Sequence, residues 1–205
     1  MTALSNGNYV VLTFSWDNGA IVNAGAATWG SGTTGVNGAI SAANTLVGST
    51  AGDQVGGDGV TALSNGNYVV RSSNWENGAI VNVGAATWGS GTAGVTGAVS
   101  AANSLVGSNA SDFVGLSFGT AISNGNYVVA ALNWDNGAFV NADAATWGDG
   151  ATGVTGVVSA ANSLVGTTAN TSLQPIVVNE VNCTFIARFL AEGGGRVRVG
   201  PRTAP

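Results

Sequence analysis

Short apolar runs alternate with polar and glycine clusters along almost the whole chain. In residues 61–119 the runs YVV, AIV, ATW, AVS, LVG and FVG are separated by clusters of Asn, Gly, Ser and Asp. The runs recur at intervals of roughly 8–12 residues, the spacing of strands and turns in all-β domains. No window shows the 3.6-residue periodicity of an amphipathic helix. The pattern therefore predicts an all-β protein built of short strands.

The same order of runs occurs three times, and each tyrosine and tryptophan of the first repeat returns 59 residues later. This spacing holds without insertion in three series: Tyr9, Tyr68 and Tyr127; Trp16, Trp75 and Trp134; Trp29, Trp88 and Trp147. We divide the chain into repeat 1 at 2–60, repeat 2 at 61–119 and an incomplete repeat 3 at 120–168. Residues 169–205 break the pattern, and we interpret them as a C-terminal closing or assembly segment.

Turn residues set the expected strands within one repeat. Asn65-Gly66 supplies the positive φ angles of a tight hairpin between TAL and YVV, and WENG at 75–78 makes a second turn. GAATWGSG predicts a strand with Trp88 as its one bulky anchor, and GAVSAANSLVGS predicts another hairpin that turns at 101–103. Each repeat is thus expected to hold four or five short strands.

A unit of this size cannot bury both faces of its sheet alone, so neighbouring repeats must stack. We expect β-propeller-like blades; a β-solenoid and a threefold β-prism or trefoil stay open as alternatives. Repeat 1 lacks a strand before Thr2, and we predict that PIVV (175–178) or RVRV (196–199) supplies it, within the chain or on the next subunit. The second arrangement would give rings or filaments of a homo-oligomer, with Arg196, Val197, Arg198 and Val199 as assembly residues.

Charge is scarce and unevenly placed. Residues 1–179 carry eight acidic residues and only Arg71, whereas the four remaining arginines lie beyond residue 179. An acidic body without a basic stripe excludes nucleic acid as a partner. No run approaches 18 apolar residues, so no transmembrane segment is expected, and the first residues show no signal-peptide pattern. The neutral polar surface favours an extracellular or cell-surface location, by an export route that stays open.

The side chains that most enzymes use for catalysis are missing. The chain has no histidine and no lysine, and Cys183 lies in an apolar run, so general base, Schiff-base amine and thiolate are all lacking. The acidic residues recur at repeat-equivalent positions that should lie far apart, and none forms a calcium loop. The glycine-rich segments lack the lysine of a phosphate loop. We expect no enzymatic activity, no cofactor and no metal site.

One repeated loop has side chains that suit carbohydrate binding. A tryptophan stacks on the apolar face of a pyranose, while an adjacent carboxylate and amide bind its hydroxyl groups. The alternative is a packing anchor beside a turn, and we keep a small multivalent lectin as the second functional hypothesis. Its candidate ligand-binding residues are Trp16, Asp17, Asn18, Trp75, Glu76, Asn77, Trp134, Asp135 and Asn136.

The repeated phrases also resemble a known kind of sequence. TALSNGNYVV, W(D/E)NG, GAATWGSGT(T/A)GV, SAANSLVGS and D-x-VG are similar to the tandem repeats of very large bacterial exoproteins, often grouped with filamentous-haemagglutinin-like adhesins. The resemblance covers residues 2–168. It implies a secreted or cell-surface β-array used for adhesion or display, with a glycan or a host-surface molecule as ligand. Our leading hypothesis is therefore a non-enzymatic, extracellular structural or adhesive protein that self-associates.

Overall fold

A computed structural model describes residues 1–117, 120–193 and 195–199, with the side chain of Arg198 left out. The described residues form strands and turns and no helix, so the predicted all-β repeat fold is confirmed. Repeat 1 contains four strands: β1 (Thr2–Ala3), β2 (Tyr9–Leu12), β3 (Ala26–Gly30) and β4 (Leu46–Val47).

Repeats 2 and 3 repeat this plan, and each adds one short strand. The strands of repeat 2 are β5 (Gly59–Ala62), β6 (Tyr68–Ser72), β7 (Ala85–Gly89), β8 (Gly97–Ala98) and β9 (Leu105–Val106). Those of repeat 3 are β10 (Thr120–Ala121), β11 (Tyr127–Ala131), β12 (Ala144–Gly148), β13 (Gly156–Val157) and β14 (Ser163–Val165). The C-terminal sheet consists of β15 (Val177–Asn179), β16 (Thr184–Phe189) and β17 (Arg196–Val199).

Each repeat folds into an antiparallel meander whose register is set by a tyrosine opposite a glycine. Tyr68 at the start of β6 pairs with Gly89 at the end of β7, and the other repeats pair the equivalent residues. A Cβ on Gly89 would lie 2.3 Å from the Tyr68 ring. The glycine therefore leaves the space in which the aromatic ring lies on the neighbouring strand.

The predicted hairpin between β5 and β6 is confirmed, with Gly66 at a φ of +88° in its turn. The predicted hairpin at 101–103 is wrong. A turn forms there, because Asn103 N–H donates to Ser100 O at 3.1 Å, but the strands on its two sides enter different sheets. β9 pairs with β7 of its own repeat, whereas β8 pairs in parallel with β4 of repeat 1. β13 likewise pairs with β9 of repeat 2.

The sheets stack face to face, and each repeat therefore has two different faces. We call leading face the side that packs on the preceding repeat, formed in repeat 2 by Tyr68, Val70, Trp75, Ala85 and Val99. We call trailing face the side that packs on the following repeat, formed in repeat 1 by Leu4, Val10, Ala27, Leu46 and Val55. Repeats 2 and 3 meet through the equivalent residues. Burial of these small apolar faces holds the repeats together.

The C-terminal sheet covers the trailing face of repeat 3. Phe185, Ala187 and Phe189 of β16 pack on a set that includes Val128 and Ala145. β15 and β17 pair with the two sides of β16, so within the described part of the chain neither PIVV nor RVRV supplies a strand to repeat 1. Pairing of either segment with the next subunit stays a prediction. The described residues thus form a stack of four sheets, none of which closes into a barrel.

Candidate functional site

The three Trp-Asp/Glu-Asn-Gly segments form tight two-residue turns. In repeat 2, Asn77 N–H donates to Ile80 O at 3.0 Å and Ile80 N–H donates back to Asn77 O at 3.2 Å. The tryptophan before this turn lies inside the stack: Trp75 is 3% exposed and Trp134 is 4% exposed. Both belong to the clusters between repeats, so neither indole presents a face on which a sugar ring could stack.

The acidic side chains of these segments bind the backbone of their own loops. Asp17 Oδ1 accepts the N–H of Asn23 at 2.7 Å, and Asp135 Oδ1 accepts the N–H of Asn141 at 2.8 Å. Both asparagines that donate these N–H groups have a positive φ, 52° for Asn23 and 49° for Asn141. These hydrogen bonds stabilise a backbone conformation that few non-glycine residues adopt. Glu76, the equivalent residue of repeat 2, is half-buried.

The asparagines of the same segments hold the loop against the last strand of the repeat. Asn18 Nδ2 donates to Gly48 O at 3.3 Å, and Asn136 Nδ2 donates to Gly166 O at 2.8 Å. Asn77 is exposed. Trp16 alone among the three tryptophans is only half-buried, because no sheet of the described residues packs on the leading face of repeat 1. The structure thus gives the turn a structural role, and the lectin hypothesis stays a prediction that depends on Trp16.

Two buried carboxylates, which the sequence analysis did not single out, join consecutive repeats. Asp112 is fully buried, and its Oδ2 accepts the N–H groups of Ser108 at 2.7 Å and Asn109 at 2.8 Å. Its Oδ1 accepts the N–H of Asp135 in the next repeat at 3.1 Å. Asp53 makes the equivalent three bonds from repeat 1 to Glu76 of repeat 2. The Asp-x-Val-Gly motif therefore encodes a contact between repeats.

Repeat 3 has Thr171 where the other repeats have this aspartate, and the C-terminal segment supplies the missing carboxylate. Glu192 is 2% exposed, and its Oε1 accepts hydrogen bonds from both the N–H and the Oγ1 of Thr167. Its other oxygen lies 3.7 Å from Nε of Arg196. Glu180 Oε2 also accepts the N–H of Ser123 at 3.0 Å. Two acids of the C-terminal segment thus bind the last repeat.

The predicted assembly residues lie in the edge strand of the C-terminal sheet. Arg196 pairs with Phe189 and is exposed, apart from its ion pair with Glu192. Val197 and Val199 are 56% and 62% exposed, and the side chain of Arg198 lies outside the described residues. β17 has only β16 as a neighbour within the described part of the chain, so its outer edge offers unpaired backbone groups.

The leading face of repeat 1 is open where those of repeats 2 and 3 are covered. Tyr9 is half-buried, whereas Tyr68 and Tyr127 are at most 1% exposed. Val36 is 42% exposed, whereas its equivalent in repeat 2, Val95, packs on the cluster between repeats 1 and 2. The leading face of repeat 1 is therefore more exposed than the equivalent faces of repeats 2 and 3.

The buried aspartates give the protein an unusual expected pH dependence. Burial raises the pKa of Asp112 and Asp53, and of Asp143 in repeat 3, more than their hydrogen bonds to N–H groups lower it. A carboxyl whose pKa is raised by folding contributes stability that is fully present below its unfolded pKa, 3.8, and is lost as the pH rises through the folded value. The exposed Glu180 has a lowered pKa, mainly through its hydrogen bonds with Ser123, and contributes in the opposite sense.

We therefore expect these three aspartates to make the free energy of unfolding larger at about pH 3.5 than at pH 7. Chemical denaturation at both pH values measures this difference. In Asp112→Asn residue 112 cannot titrate, so the difference in free energy of unfolding between the two pH values should be smaller. A chain that loses stability on acidification, with Asp112→Asn behaving as the unchanged protein does, would contradict the prediction.

The described residues contain no group of three His, Cys, Asp or Glu side chains that could hold a metal ion. No helix long and apolar enough to cross a membrane occurs in the same part of the chain. The features that remain as candidates for function are surfaces between sheets: the open leading face of repeat 1, the covered trailing face of repeat 3 and the edge of the C-terminal sheet.

Fold and surfaces together define an all-β stacked-repeat protein. The chain belongs to a family described as a repeat of unknown function (DUF5650), which matches residues 3–57, 62–116 and 121–174. The third match continues six residues beyond position 168, through the Thr171 loop that Glu192 supports from the C-terminal segment. Neither a curated protein nor a solved structure matches the chain.

Proposed function

We propose that this chain is a non-enzymatic structural or adhesive repeat protein that works outside the cell and self-associates. One observation carries the proposal: the leading face of repeat 1 presents the residue types that repeats 2 and 3 bury against a neighbour. Faces of this kind are stable inside the chain only when another sheet covers them. The open face is therefore a natural docking surface for another repeat.

Composition and resemblance support the location and the lack of catalysis. A chain with neither histidine nor lysine has few groups for acid-base or covalent catalysis at neutral pH. The repeated phrases resemble those of large bacterial exoproteins, in which such arrays serve adhesion or display. A glycan or another surface molecule is the kind of ligand that this role implies.

The experiment that tests self-association is light scattering coupled to size exclusion over a range of protein concentrations. We expect masses above 20.0 kDa that rise with concentration in multiples of the chain mass. A mass of one chain at every concentration would contradict the proposal. Binding of the labelled chain to glycan-coated and uncoated surfaces tests the adhesive role separately.

A lectin built on the three tryptophan turns has less support. Two of its three indoles are buried between repeats, and in repeats 1 and 3 the carboxylate and the amide of the turn bind backbone groups of the chain itself. Only the open end of the stack leaves Trp16 partly accessible. We therefore place any ligand contact of these turns at repeat 1.

A further inference from the structure

Hydrogen bonds between repeats show what a docked leading face requires. Trp29 of repeat 1 donates its indole N–H to Gly91 O of repeat 2 at 3.0 Å. Asn6 and Asn8 donate their side-chain amides to the same oxygen at 2.8 Å and 2.7 Å. The same three bonds occur between repeats 2 and 3, where Gly150 O is the acceptor. On the leading faces of repeats 2 and 3, one glycine carbonyl thus accepts three hydrogen bonds from the preceding repeat.

Strand pairing between repeats adds two backbone bonds. Gly97 N–H donates to Thr45 O at 3.1 Å, and Val99 N–H donates to Val47 O at 3.1 Å. Between repeats 2 and 3 the equivalent donors are the N–H groups of Gly156 and Val158. We call GxV segment the three residues that carry these donors, 97–99 in repeat 2 and 156–158 in repeat 3. The leading face therefore brings both an acceptor and a short donor strand.

Repeat 1 carries all of these groups without a partner in the described part of the chain. Gly32 O occupies the position of Gly91 O, and the N–H groups of Gly38 and Ile40 occupy those of Gly97 and Val99. None of the three is engaged in a hydrogen bond there. The leading face of repeat 1 is thus complete as a docking surface.

On the trailing face of repeat 3, groups equivalent to those that bind the next repeat in the inner interfaces have no partner among the described residues. Trp147, equivalent to Trp29, is 6% exposed, and its indole N–H has no acceptor among the described residues. Among the described strands, β14 is the last of its sheet and lacks the parallel neighbour that β4 and β9 have. A groove of about 210 Å³ lies beside it, lined by residues that include Trp147, Ser163, Leu164 and Phe185. In the inner interfaces the GxV segment of the next repeat pairs along the equivalent strand.

We propose that the chain assembles head to tail, the leading face of repeat 1 of one copy docking on the trailing face of repeat 3 of a second copy in place of the C-terminal sheet. The inference rests on the proposed self-association and names its two surfaces. The second copy supplies the missing partners in one step: Gly32 O for the Trp147 indole, and the Gly38 and Ile40 N–H groups for the edge of β14.

The C-terminal sheet acts in this arrangement as a competing cap. Phe185 and Phe189 cover Val128 and Ala145, the positions where the aromatic and apolar side chains of a following repeat pack in the inner interfaces. The two occupants cannot be present together. Because the sheet is tethered to its own repeat 3, it has the higher effective concentration in dilute solution, and a second copy displaces it as the protein concentration rises.

Gly35 offers a substitution that distinguishes docking from folding. At the equivalent Gly94 and Gly153, an added Cβ would lie 2.8 Å and 2.7 Å from Cβ of the tryptophan in the preceding repeat. At Gly35 an added Cβ would have only Tyr9 Oη, at 3.8 Å, within 4 Å of it among the described residues. Gly35→Ala therefore leaves the packing of the isolated chain unchanged but meets Trp147 of a docked copy. Gly137→Ala is the matched control, because Gly137 also has a positive φ, +60°, and open space around it.

The test is sedimentation velocity on the full chain over a concentration series. We expect Gly35→Ala to weaken self-association by about tenfold or more and Gly137→Ala to leave it unchanged. Phe185→Ser, which loosens the C-terminal sheet, should strengthen association by about tenfold or more, and adding Gly35→Ala should reverse the gain. Glu192→Gln weakens the contact with Thr167 and leaves the apolar packing of the C-terminal sheet in place. We expect it to strengthen self-association too, by less than Phe185→Ser.

The outcomes separate this inference from the proposed function. Association that is insensitive to Gly35→Ala, or that weakens in Glu192→Gln, would overturn the head-to-tail arrangement while leaving self-association in place. Absence of association in every variant would overturn both. Association that follows the expected order of variants supports both.

Discussion

Replacing Trp75 by alanine is expected to lower the free energy of unfolding by about 3–5 kcal/mol, the usual loss for a core tryptophan. The indole is 3% exposed and belongs to the cluster that joins repeats 1 and 2, so its removal leaves a cavity between two sheets. Chemical denaturation followed by circular dichroism measures the loss. If the Trp75→Ala protein is unfolded even without denaturant, this tryptophan is a packing residue and not a sugar-stacking residue.

Trp16→Ala is the matched control for this prediction. Trp16 occupies the same position in repeat 1 but is only half-buried, since none of the described sheets packs on the leading face there. We expect a smaller loss of stability in dilute solution. Equal losses for the two variants would mean that the leading face of repeat 1 is covered, and a negligible loss for Trp75→Ala would contradict the stacking of repeats.

Asp112→Ala is expected to cost about 3 kcal/mol or more, because it leaves three backbone N–H groups without their acceptor at about 1–3 kcal/mol each. Two of these groups belong to the loop of repeat 2 and the third belongs to Asp135 in repeat 3. The loss should therefore affect both the repeat and its junction with the next. Denaturation curves measure the total, and hydrogen exchange of the three amides locates it.

Asp135→Ala serves as the comparison, since the Asp135 carboxylate accepts one N–H, that of Asn141, and is not fully buried. We expect about 1 kcal/mol for it. The loss of stability in Asp112→Asn should fall between those of the two alanine variants, because the amide has one acceptor oxygen where the carboxylate has two. If Asp112→Ala costs no more than Asp135→Ala, the carboxylate does not join the repeats in the way described.

The strands within a repeat were predictable because their signals are local. Tyr68 and its two following valines alternate with turn residues at short range, and the Asn-Gly turn before them needs only its own backbone angles. The period of 59 residues showed that neighbouring units must share a core. These two observations together predicted an all-β fold with stacked sheets.

The contacts between repeats could not be predicted in the same way. β8 follows β7 in the chain yet pairs with β4, because the partner of a short edge strand is set by the stacking of two sheets. For the same reason the sequence does not single out Asp112, although its carboxylate accepts an N–H of the next repeat. Glu192 gave no signal either, since its partner Thr167 lies 25 residues earlier and the contact depends on how the C-terminal sheet docks.

The repeats form a stack with one open leading face. Hydrogen exchange of the tryptophan indole N–H groups in dilute solution tests this arrangement most directly. We predict slow exchange for Trp75 and Trp134, whose indole nitrogens are buried, and much faster exchange for Trp16 at the open end. Equal protection of all three would show that the leading face of repeat 1 is covered. Rapid exchange of Trp75 and Trp134 would contradict the stack itself.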